Sequence, residues 1–110
     1  MTARLRPNVF HILVTLAAGD RHGSAISREV LERTGGSVHL WPATLYRTLD
    51  SMVDSGLIEE LTGAHHPEGA SGRRRYYRLT PKGGEALARG AEDMAALAAT
   101  ALTRLGRADT

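Results

Sequence analysis

The chain of 110 residues has no cysteine, so it carries no disulfide framework and no thiolate chemistry. That fits a reducing cytoplasm, the expected location. Aromatic residues are 5% of the total (three Tyr, one Trp, one Phe), which leaves the core to aliphatic side chains and alanine. No apolar run is long enough to span a bilayer, and Met1-Thr2-Ala3-Arg4 opens no signal peptide. There is no serine in a Gly-x-Ser-x-Gly turn and no phosphate-cradling glycine loop. No catalytic residue, cofactor or membrane partner is therefore expected. The length suits one domain, small enough to gain stability by pairing with a copy of itself.

Net charge is only +2, yet its distribution is uneven. Between Gly69 and Gly84 lie five basic residues, Arg73, Arg74, Arg75, Arg78 and Lys82, and no acid. Acids sit elsewhere, at Glu29, Glu32, Asp50, Asp54, Glu59 and Glu60. A local basic patch on a nearly neutral chain suits contact with a polyanion. The plainer alternative is a strand edge protected from aggregation by charge.

Apolar spacing sets out the elements. Pro7 begins a helix with Val9, Ile12, Leu13 and Leu16 on one stripe, ending near Gly19. Residues 19–23 form a turn, and Ser24 is the expected cap of a second helix that buries Ile26, Val30 and Leu31 and stops at Thr34-Gly35-Gly36. Pro42 opens a third helix. Its Leu45, Leu49, Met52 and Val53 face inward, Thr44, Arg47, Thr48 and Ser51 face outward, and Ser55-Gly56 ends it. Trp41, just before it, is expected to pack. Leu57 to Thr62 is a strand, 63–72 a polar loop, and Arg73 to Leu79 the partner strand, with Tyr77 and Leu79 on one face and Tyr76 and Arg78 on the other. His65, His66 and Glu68 in the loop match no established metal spacing, so no metal is expected. His11 is expected half-buried in the first helix.

Thr80-Pro81 caps a last helix. Leu87, Ala91, Met94, Ala98, Ala101 and Leu105 recur in steps of four and three, and Leu97 and Leu102 widen the stripe. From Pro81 to Leu105 such a helix is roughly 37 Å long. That exceeds what so small a domain needs to cover itself, which points to a dimer element; the alternative is a helix folded back on its own domain.

The fold class is mainly α with a small β-hairpin: a winged helix-turn-helix over 1–80 and a dimerisation helix with a loose tail over 81–110. Three segments resemble the PadR-type transcriptional regulators: Val9-Phe10-His11-Ile12-Leu13 with His22-Gly23-Ser24-Ala25-Ile26; Pro42-Ala43-Thr44-Leu45-Tyr46-Arg47-Thr48-Leu49; and Ser55-Gly56-Leu57-Ile58 with Arg75-Tyr76-Tyr77-Arg78-Leu79-Thr80-Pro81-Lys82-Gly83. The resemblance implies a homodimeric repressor on a pseudo-palindromic DNA operator. It admits a small apolar effector between the subunits, near Met94, Leu97 and Ala98, although a plain dimer seam gives the same pattern. Two positions depart from the family. Ser24 stands where a tyrosine is frequent, and the last helix has no aromatic on which a planar ligand might stack.

The third helix is then the major-groove reader, with Arg47 suited to a bidentate contact with guanine and Thr44 and Thr48 to phosphate or a thymine methyl. Tyr46 carries over as a backbone-contacting or bracing residue, or packs between helices. Arg73, Arg74 and Arg75 belong to the wing and supply charge for phosphate or a minor groove; strand alternation turns Arg74 away from its two neighbours. Ser24 and Arg28 are placed to meet phosphate. Arg78 has the alternative of pairing with Glu59 or Glu60. A winged helix that binds protein instead of DNA is the second class of function, and the arginine cluster argues against it.

Overall fold

The prolines and glycines that punctuate the sequence become helix boundaries in the computed structural model, which describes residues 5–61 and 75–107. Helix α1 (Pro7–Ala17) has no side-chain cap and starts on Pro7, whose missing N–H is no loss in a first turn. Its stripe buries Ile12, Leu13 and Leu16. Thr15 is also fully buried, its hydroxyl donating to the His11 carbonyl at 3.1 Å and accepting from Arg33 at 3.0 Å. His11 itself is half-buried.

A two-residue strand, β1 (Arg21–His22), follows where only a turn was expected. Helix α2 (Gly23–Arg33) starts directly after it. The cap is His22, whose Nδ1 accepts from the Ala25 N–H at 3.2 Å, and not Ser24, which lies exposed inside the first turn. Helix α3 (Pro42–Asp54) buries Leu45, Leu49 and Met52 and leaves Val53 half-buried. Both helices end as the glycines require. Gly35 (φ 62°) and Gly56 (φ 80°) adopt the left-handed conformation that costs a Cβ-bearing residue most. The next amides, of Gly36 and Leu57, then reach back to the carbonyls of Leu31 and Met52, satisfying the last turns.

Strands β2 (Ile58–Leu61) and β3 (Tyr76–Leu79) pair antiparallel in the register Ile58 with Leu79 and Glu60 with Tyr77. β1 pairs with the other edge of β3, giving the order β1-β3-β2. The expected hairpin is therefore a three-stranded sheet with β3 at its centre. Tyr77 is fully buried among α1, α2 and α3 residues such as Ile12, Ile26 and Leu49, and burial pushes its phenol well above the usual tyrosine range.

Helix α4 (Pro81–Arg104) opens at Thr80, as the sequence indicates. The Thr80 hydroxyl accepts from the Gly83 N–H at 3.0 Å and donates to the Gly56 carbonyl at 2.6 Å, with the Leu57 carbonyl at 2.9 Å. This one side chain joins the end of α3, the start of β2 and the cap of α4. Gly83 is buried so tightly that an added Cβ would overlap the Leu57 carbonyl oxygen. The first part of α4 lies on α1, with Leu87 against the core and Gly90 against the Phe10 ring. From Ala91 onward every described α4 residue is exposed. No helix among the described residues is long and apolar enough to cross a membrane.

Candidate nucleic-acid interface

The outer face of α3 is the surface the other elements hold in place. Arg47 and Ser51 are exposed, and Thr44 and Thr48 are half-buried at its sides. The Thr48 hydroxyl donates to the Thr44 carbonyl at 2.8 Å, which leaves its oxygen free to accept. Pro42 sets the start of the helix, and Leu45, Leu49 and Met52 pin the opposite face to the core.

Tyr46 braces this helix from below. Its ring lies against Gly23 at the start of α2, where an added Cβ would overlap the phenol. The Arg75 guanidinium sits 5.4 Å from the Tyr46 ring centroid and 5.6 Å from that of Tyr77. The same guanidinium donates to Glu60 at 2.9 Å and to Asp50 at 2.7 Å. Those two carboxylates, Glu60 first, raise its pKa further above the usual arginine value. The Arg75 carbonyl accepts from the Gly23 N–H at 3.2 Å. One residue thus ties α2, α3 and β2 together at the root of the wing, and its charge is already met by two acids.

Arg78 does not pair with either expected acid. Its register partner is Glu59, but its guanidinium donates to Asp20 at 2.9 Å, because β1 brings Asp20 alongside β3. Glu60 is taken by Arg75. Arg73 and Arg74, like His65, His66 and Glu68, lie outside the described residues.

Beside the N-terminal end of α3 is a shallow concavity of about 330 Å³. Ser24 and Arg28 from α2 line it together with His39, Trp41 and Tyr46. Ser24 and Arg28 are exposed there, in the first turns of α2. Trp41, expected to pack, is instead 64% exposed and stacks on His39, with ring centroids 3.8 Å apart and planes 23° apart. Pro42 fixes Trp41 in an extended conformation at the helix edge (φ −65°, ψ 150°), where the apolar periodicity of α3 has not begun. Asp50, the second partner of Arg75, carries no signal in the sequence. It lies 25 residues from Arg75, and no local spacing links them.

The second surface is the far half of α4. Met94, Leu97 and Leu105 are 57%, 63% and 68% exposed, and Ala91, Ala98, Ala101 and Leu102 are exposed with them. Leu87 differs from the rest of the expected seam, since it packs on its own domain. Between α1 and α4 runs a groove of about 780 Å³, with Leu5, Phe10 and Val14 on one wall and Met94 and Leu97 on the other.

Three helices with a small sheet at the side, the third helix turning a polar stripe outward, define a winged helix-turn-helix protein. Residues 12–89 match the Transcriptional regulator PadR-like family, and the chain belongs to that family. A PadR family transcription regulator from hypervirulent Clostridium difficile R20291 is similar at 26% identity, covering 89% of this chain and 96% of that one, with a TM-score of 0.72. Bacillus subtilis PadR, solved in complex with operator DNA, is 25% identical over 76% of this chain and 46% of its own, with a TM-score of 0.64. "Uncharacterized protein X" of Lysinibacillus sphaericus is 35% identical over 72 residues, 66% of this chain. The match spans 63% of that relative, less than two thirds of its length.

Proposed function

We propose that this chain is a sequence-specific DNA-binding regulator that works as a homodimeric repressor on a pseudo-palindromic operator. The exposed stripe of α3, held rigidly by Tyr46 and Arg75, carries this reading. Arg47, Thr44 and Thr48 are assigned to base edges, and Ser24 and Arg28 to phosphate, with Arg73 and Arg74 adding charge from the wing. Arg75 is assigned a different task from its neighbours: it positions Tyr46 and α3, its charge being engaged by Asp50 and Glu60. The similarity to a PadR solved with operator DNA supports the assignment of partner.

The dimer forms through α4. A helix whose far half exposes Met94, Leu97, Leu102 and Leu105 is covered by a second copy, and the α1–α4 groove offers an apolar bed for it. Within the helix over 81–110 assigned to dimerisation, the exposed stretch that a second copy would cover begins after Gly90. A small apolar effector would occupy the same groove, near Met94 and Leu97, and would act by favouring one spacing of the two wings.

The test is a fluorescence-anisotropy titration with the DNA upstream of the protein's own gene, at two salt concentrations and with unlabelled competitor. Tight, competitor-resistant binding that weakens steeply with salt is expected. Binding that any DNA competes away overturns sequence specificity on that DNA. No binding at low salt points to a protein-binding winged helix.

A further inference from the structure

The Trp41 backbone carbonyl accepts from the Leu45 N–H at 2.8 Å, but its indole holds little of the fold. Trp41 is 64% exposed, its described ring contact is the exposed His39, and it makes no side-chain capping bond to α3. An indole left in water on a chain with few aromatics calls for a partner. Its position indicates which. Trp41 directly precedes α3, at the end from which the outward stripe of that helix begins. It also forms a wall of the concavity that holds Ser24 and Arg28. In a helix-turn-helix, the helix before the reader crosses the DNA backbone.

We propose that the Trp41–His39 stack is a platform for the DNA backbone, its open indole face packing on a deoxyribose beside the phosphate that Arg28 meets. This rests on the reading of α3 as the DNA-facing helix. A deoxyribose offers an apolar carbon surface between two charges, which suits an indole flanked by an arginine. His39 covers one face of the ring at 3.8 Å and limits its rotation, so little freedom is lost on binding. The contact is apolar and independent of base identity. It adds affinity to all duplexes alike and releases no counterions.

Trp41 is the chain's only tryptophan, so its fluorescence reports on this site alone. Acrylamide quenching of the wild-type protein is measured with and without the upstream duplex, while a labelled duplex reports binding by anisotropy. Protection of Trp41 on duplex binding is expected. Trp41→Ala, whose exposed site predicts an unchanged melting temperature, should lose roughly five- to tenfold in affinity for operator and competitor alike. Its salt slope should stay that of the wild type, whereas Arg28→Ala should flatten the slope by about one. Trp41→Phe should recover most of the loss. A duplex that binds while Trp41 remains as quenchable as before overturns the platform and leaves the DNA-binding reading standing. So does protection that appears without DNA as protein concentration rises, which would mark a contact between copies. A duplex that does not bind overturns both.

Discussion

Arg47 and Arg75 both look like DNA contacts in the sequence. Arg47 is exposed on the stripe of α3, whereas Arg75 is pulled down by Asp50 and Glu60 onto the Tyr46 ring. Arg47→Ala should therefore relax base preference and cost roughly 1–3 kcal/mol on the correct operator, checked by titrating operator variants. Unchanged preference would remove Arg47 from the reading set. Arg75→Gln should behave differently. The Arg75 guanidinium is more than a third exposed, so the stability loss should stay within about 1 kcal/mol. Affinity should fall through a looser α3, with the salt slope unaltered; a slope reduced by about one would mean that Arg75 meets phosphate directly. The basic run was legible in the sequence. The acids that neutralise part of it were not, because Asp50 comes near Arg75 only through the packing of α3 on the sheet.

Elements were easier to see than residues wherever a period or a punctuating residue marks them. The stripe Ile12, Leu13 and Leu16, the glycines at 35 and 56, and Thr80-Pro81 all mark helices that the fold contains. β1 escaped because two residues cannot show a period, and its strand character comes from β3 lying beside it. The cap of α2 escaped for a related reason. A serine is the usual signal, but the chain leaves the sheet at His22, so the imidazole is the group within reach of the Ala25 N–H. The Thr80 junction gives a sharp test. Thr80→Ala removes a cap and the bonds to the Gly56 and Leu57 carbonyls, and should cost about 1–2 kcal/mol, read as a lowered melting temperature. Gly83→Ala should cost about 1–3 kcal/mol, because the methyl meets a backbone carbonyl that cannot step aside alone. A melting temperature unchanged by both would mean that α4 is not anchored at this point.

At the scale of the whole molecule, the shape is a small domain with an arm. α4 is about 36 Å long, and the protein extends 53 Å along its longest axis. Met94→Glu together with Ala98→Glu should yield a monomer in sedimentation and lose most operator affinity, because a single reader holds half a site. A charged variant that remains a dimer would remove the proposed seam. The arm's spacing was visible in the sequence, but not which of its residues pack on the domain: Leu87 shares the stripe of Met94 yet packs against the core, whereas from Ala91 onward the described residues are exposed. The outward stripe of α3 carries a different kind of consequence. Among the described residues, Arg47 makes no tertiary bond, and like Ser51 it lies on the face opposite the core, so exchanging either should move stability by about 0.5 kcal/mol or less. If α3 reads bases as proposed, a lineage can acquire new operators by single substitutions along this stripe, each step leaving a folded protein for selection to act on.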